Sequence, residues 1–163
     1  MHHLRFSKYD IKYRNELGHY LRDDWTSISD VGKVCEGELL TMEEYERVEK
    51  NYLDALLDII QTIGVSRFQI YSSGVWDLDT SQIDFPLSEG TIINIEQCLL
   101  LSQQTLREKV WHIIKSPKLN IYFGHDYYIY ISFDGDLDTV KAIIKKYDLF
   151  WEMQEKDFLD NED

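Results

Sequence analysis

The chain has 163 residues, of which 44% are apolar, 29% charged and 13% aromatic. That is one domain's worth of chain, able to bury about 70% of its unfolded surface, and its composition excludes collagen-like, low-complexity and disordered classes. Thirty acidic residues against 17 basic give a net charge of −13, spread evenly: residues 1–82 carry 15 acids and 9 bases, residues 83–163 carry 15 and 8. Such a surface repels nucleic acid and anionic membranes and speeds encounter with basic partners. Solubility alone is the competing explanation of the charge.

Cys35 and Cys98 are the only cysteines and form no CxxC pair, which argues against a disulfide framework or a zinc knuckle. The opening MHHLRFSKYD has no apolar core of a signal peptide, and no apolar run, that at Cys98 to Leu101 included, approaches the ~20 residues that span a bilayer. The expectation is a reduced, cytoplasmic, single domain over residues 1–163. Within it residues 1–40 are less regular, and 152–163 form an acidic tail.

His2-His3 reads as tail. Residues 11–21 read as a helix broken at Gly18, and 23–37 as turn mixed with short helix. The clearest element opens at Thr41, where Thr41-Met42-Glu43-Glu44 has the form of a capping box. Tyr45, Val48, Tyr52, Ala55, Leu56, Ile59, Ile60 and Ile63 follow at helical spacing, and Gly64 is placed to end the helix. Arg67 to Gly74 reads as a strand, 75–90 as loop or hairpin, and Thr91 to Ile93 as a short strand. Asn94 caps a second helix expected to run to about Ile114, stopped by Ser116-Pro117.

Leu119 to Phe123 and Tyr127 to Phe133 alternate as a hairpin around Gly124-His125-Asp126. In its second strand, period two places Asp126, Tyr128 and Tyr130 on one face and Tyr127, Ile129 and Ile131 on the other. Asp136 or Asp138 caps a third helix, and Leu149 to Met153 is a last strand. The order implies an α+β fold: a mixed or antiparallel sheet of about four strands with three main helices.

Catalytic signatures are missing. Asp134-Gly135-Asp136-Leu137-Asp138 starts like a calcium loop, but the positions that need Gly and Glu hold Thr139 and Lys145. Asp77-Leu78-Asp79 is a bare DxD without a phosphate-binding surround. The histidines form no HExxH and no i, i+4 pair. His112, beside Trp111, reads as structural, and only His125 is worth testing as an acid or base. No nucleophile elbow, SxxK or phosphate-cradling glycine loop occurs. Cys98 reads as a small core residue. The expectation is a chain with no catalytic residues, no cofactor and no metal.

What stands out is acid interleaved with aromatic residues, at Asp23-Asp24-Trp25, Trp76-Asp77-Leu78-Asp79 and His125 to Tyr130. Carboxylates beside Trp and Tyr can pair with Lys or Arg of a partner while the rings serve as apolar anchors. Equally, the rings can be core and the aspartates solvated turn residues.

Two blocks carry a resemblance. The first is Tyr13-Arg14-Asn15-Glu16, then Asp24-Trp25-Thr26-Ser27-Ile28-Ser29-Asp30-Val31-Gly32-Lys33, then Leu40-Thr41 with Glu44-Tyr45. The second is Leu106-Arg107-Glu108-Lys109-Val110-Trp111 leading to Ile121-Tyr122-Phe123-Gly124-His125-Asp126-Tyr127-Tyr128-Ile129-Tyr130, with His125 where the pattern has an aromatic. Together they resemble the CdiI-type immunity proteins of bacterial contact-dependent growth inhibition, which neutralise ribonuclease toxins. The resemblance implies a cytoplasmic antitoxin without catalysis or cofactor. It would bind the basic C-terminal nuclease domain of a CdiA-type effector one to one, and neither nucleic acid nor membrane. Expected contacts are Asp23, Asp24, Trp25, Asp77, Asp79, Asp126 and Tyr128. The alternatives are a small metal-dependent enzyme acting on a phosphate or sugar, with Asp77, Asp79 or Asp126 as ligands, and an acidic mimic of nucleic acid.

Overall fold

A computed structural model describes residues 1–77 and 81–161. Among these the chain forms one α+β domain of three helices and a seven-stranded antiparallel sheet. The strands are β1 (His2–Ser7), β4 (Arg67–Val75), β5 (Ile92–Asn94), β6 (Val110–Lys115), β7 (Leu119–Phe123), β8 (Ile129–Phe133) and β9 (Phe150–Met153), ordered β5-β4-β6-β7-β8-β1-β9. A separate two-stranded ribbon pairs β2 (Val34–Cys35) with β3 (Glu38–Leu39).

The helices are α1 (Met42–Ile63), α2 (Ile95–Leu106) and α3 (Leu137–Lys146). α1 starts where expected: the Thr41 hydroxyl accepts the Glu44 amide at 3.1 Å. The reciprocal arm of the box is not made, because the Glu44 carboxylate pairs with Arg47 instead. Every residue of the expected stripe is buried, and Gly64 ends the helix at φ +83°, a conformation that costs glycine nothing. Asn94 and Gln97 make the full reciprocal box at the start of α2, and Asp136 caps α3 through the Thr139 amide. The helices pack on one face of the sheet against Leu4, Phe6, Phe68, Ile70, Ile121 and Ile131, all within a single core.

The expected count of about four strands is corrected to seven. His2 and His3 belong to strand β1 and not to a tail: Leu4 and Phe6 are fully buried, and the strand pairs on both sides, with β8 and β9. Two apolar residues at period two, flanked by His and Arg, leave little pattern to see. The second helix does not reach Ile114. It ends at Leu106, Glu108 turns the chain at φ +61°, and Val110 to Lys115 form β6. The spacing of Leu106, Val110, Ile113 and Ile114 fits a helix, but the β-branched residues fit a buried strand better. Ser116-Pro117 therefore closes the β6–β7 turn.

Residues 11–21 are not a helix either. A 3₁₀ turn at Ile11–Tyr13 is followed by a loop that the Arg14–Tyr20 bridge closes. Within it the Asn15 carboxamide accepts the Leu17 and His19 amides, an alternative to helical bonding. The acidic tail is shorter than expected. Glu152 lies in β9, and Phe158 stacks on Tyr122 and Tyr130, at 3.8 and 4.7 Å between centroids, against the sheet face away from the helices.

Candidate functional site

The longest connection within the β6–β7–β8 meander, Gly124 to Tyr128, is the anchor of the site. Asp126 and Tyr127 both take left-handed backbone, φ +57° and +70°, which a bulky side chain such as tyrosine adopts only under constraint. The constraint is visible. Tyr9 donates its hydroxyl to the Asp126 carbonyl at 2.7 Å, and Tyr52 donates to the Tyr127 carbonyl at 2.9 Å. The Tyr127 hydroxyl donates to the Leu106 carbonyl at 2.8 Å and lies 2.7 Å from the Tyr45 hydroxyl. Its ring meets Trp25, Tyr45 and Tyr52 edge-on. Burial pushes the Tyr127 hydroxyl above the usual tyrosine range. Gly124 begins the connection because a Cβ there would stand 2.8 Å from the Tyr130 ring.

A second locked turn faces it. Beyond α2, the Lys109 carbonyl accepts both the Trp76 and Asp77 amides, at 2.9 and 3.1 Å, which holds the end of β4 beside Glu108. Buried Glu49 of α1 receives Arg107 in a bidentate pair, both bonds 2.9 Å, and Gln103 at 3.0 Å. Between the two turns lies a cavity of about 360 Å³, within the size range of ligand sites. Thr105, Leu106 and Glu108 come from the α2–β6 side, Phe123 to Tyr128 from the β7–β8 side, and Thr26 and Trp76 from separate segments.

One layer behind this wall is His112. It hydrogen-bonds Thr105 at 2.7 Å through Nδ1 and packs its ring on Phe123. Because the Thr105 hydroxyl donates to the Leu101 carbonyl, Nδ1 must carry the imidazole proton, leaving Nε2 bare and without a partner among the described residues. Complete burial lowers the His112 pKa to about 3, so the ring is neutral.

The structure brings together parts of two of the three acid–aromatic clusters. Asp126 and Tyr128 line the cavity, as does His125, and Asp77 follows the lining residue Trp76, which is 57% exposed. Asp79 lies outside the described residues. The first cluster is placed differently from expectation. Trp25 is only 7% exposed and packs on Tyr45 and Tyr127, so its area is spent on the core and a partner cannot use it as an anchor. Asp24 pairs internally, 3.0 Å from the Lys8 ammonium, which also stands over the Trp25 ring. Asp23 is exposed, and its amide bonds the Glu36 carboxylate. Tyr128 takes the Arg14 guanidinium on its hydroxyl, with Arg5 4.6 Å over its ring. Both arginines bond Glu152, whose position within β9 sets that network.

The expectations omitted Glu108, Thr26 and Thr105. The signal for Glu108 was present: Arg107-Glu108-Lys109 interrupts an apolar pattern with three charges, the mark of a turn. Cys98 is buried as expected, with its thiol pushed up to about 12. Among the described residues no group of three or more His, Cys, Asp or Glu side chains is placed to hold a metal ion, and no helix is long and apolar enough to cross a membrane. No family model, curated protein or solved structure matches the chain.

Proposed function

We propose that the chain is a CdiI-type immunity protein, an antitoxin that binds the basic C-terminal nuclease domain, an RNase, of a cognate CdiA-type effector in the cytoplasm. It neutralises that domain stoichiometrically and catalyses nothing itself. One observation carries the reading: two acid–aromatic clusters some 50 residues apart in sequence fold around one cavity with an exposed tryptophan in its lining. A nuclease is basic where it holds its substrate, and an acidic face with aromatic anchors is complementary to it. The net charge of −13 would steer the encounter, and a standard interface of ~1,600 Å² would centre on Trp76 and the Gly124–Tyr128 connection.

Co-expression with the C-terminal domain of the adjacent effector gene tests this. A one-to-one complex should elute, cells should survive, and RNA cleavage by the purified domain should stop at one equivalent. Association should slow as salt rises, because exposed charges are screened. Reversing Asp77 and Glu108 together to Lys should weaken binding by about tenfold or more. Absence of a complex and of protection would end the proposal.

A further inference from the structure

Resting on the immunity reading for the identity of the partner, we propose that the cavity receives a single arginine side chain of the nuclease domain. The volume, about 360 Å³, admits one long side chain; an α-helix with its side chains is about 10–12 Å across, and one turn would overfill it. The lining combines flat rings with the exposed carboxylates of Glu108 and Asp126. Trp76 is exposed and no described side chain stacks on it, and the buried Phe123 and Tyr127 share the lining.

The ion pairing around the cavity points to a cation from outside. Asp24 is paired with Lys8, Glu49 with Arg107, and Glu152 with Arg5 and Arg14. Glu108 and Asp126 both line the cavity and are exposed, and neither has an ion pair among the described residues. Both are also held in left-handed backbone, as is Tyr127 between the rings. Strain of this kind persists where the surrounding structure enforces it, and it concentrates at ligand clamps.

A planar guanidinium suits this lining better than an ammonium, because it can stack on an indole while donating two parallel hydrogen bonds to a carboxylate. The protein already recognises guanidinium this way twice: Arg107 is bidentate on Glu49, and Arg5 lies over the Tyr128 ring.

The probe is N-acetyl-arginine methylamide, titrated into the isolated full chain and followed by amide and indole NMR signals. Saturable shifts are expected at the Trp76 indole N–H and the Gly124 amide. The citrulline analogue, isosteric but uncharged, should bind about tenfold more weakly, and the lysine analogue should also be weaker. Glu108→Gln with Asp126→Asn should lower arginine affinity about tenfold, and Trp76→Ala should lower it in an otherwise native spectrum. Equal binding of citrulline, non-saturating shifts, a preference for lysine, or indifference to the double variant would each overturn the inference. The titration needs no toxin, so its failure is separable from that of the immunity reading. If a toxin complex forms but the double variant leaves its affinity unchanged, the arginine pocket falls and the immunity reading stands. Arginine binding without a toxin complex would mean the reverse.

Discussion

The two connections that flank β7 reverse the chain by different means. At Ser116–Lys118 the turn closes on itself. The Ser116 hydroxyl accepts the Leu119 amide at 2.9 Å, its amide donates to the Leu119 carbonyl at 3.0 Å, and no residue has positive φ. At Gly124–Tyr128 the local bonds are fewer, two residues are left-handed, and the shape is imposed by hydroxyls of Tyr9, Tyr45 and Tyr52, from distant parts of the sequence. A connection needed only to reverse direction can use serine and proline. One that must hold exposed His125 and Asp126 beside a cavity draws on the core for its geometry. The difference separates a turn that serves the fold from one that the fold serves.

The largest disruption of that contrast should come from Tyr127→Ala, which removes a buried ring and both of its hydroxyl contacts. A loss of about 3–5 kcal/mol is expected by denaturant unfolding. If the loss were under 1 kcal/mol, the ring would not be holding the connection.

Acid should act next. His112 has a folded pKa of about 3 against an ordinary value of 6.5, so the unfolded chain takes up the proton more readily between those values. The stability this group contributes is therefore complete above pH 6.5 and is lost as pH falls toward 3, by up to about 1.4 kcal/mol per unit. Protonation would place a second N–H, on Nε2, where no described acceptor meets it. Urea midpoints measured from pH 7 to 4.5 should fall, and His112→Gln should flatten the fall. Hydrogen exchange should show opening at Thr105 and Phe123 before the Ser116 turn.

The smallest pair sharpens the comparison. Tyr9→Phe and Ser116→Ala each delete one hydroxyl and should each cost about 1 kcal/mol. Only the first should weaken toxin binding, because only it releases the Asp126 carbonyl. Equal effects on binding would erase the distinction between the two connections.

Legibility in the sequence followed the length of the pattern. α1 could be read from eight apolar positions, a capping residue and a terminal glycine, all local signals. β1 rests on Leu4 and Phe6 alone, and its burial depends on β8 and β9, more than a hundred residues away. β6 is harder to read because the spacing of Leu106, Val110, Ile113 and Ile114 also fits a helix, and only the β-branching of Val110, Ile113 and Ile114 favours the strand. At the site the residue types were legible and their roles were not. Asp24 and Asp126 look alike in sequence. Lys8 neutralises one, while the other lines the cavity. Trp25 and Trp76 likewise differ only in what folds over them.

The position of β1 has a consequence for how the chain acquires its structure. The strand is made early, yet both of its neighbours come after residue 128, and Tyr9 reaches across the same gap to Asp126. During synthesis at roughly 5–20 residues per second, β1 must wait unpaired for several seconds. Closing loops of this length before any contact rewards them is what slows folding, so this sheet belongs with slow, high-contact-order topologies. The charge flanking Leu4 and Phe6, from Arg5 and Lys8, suits a strand that spends that interval in water.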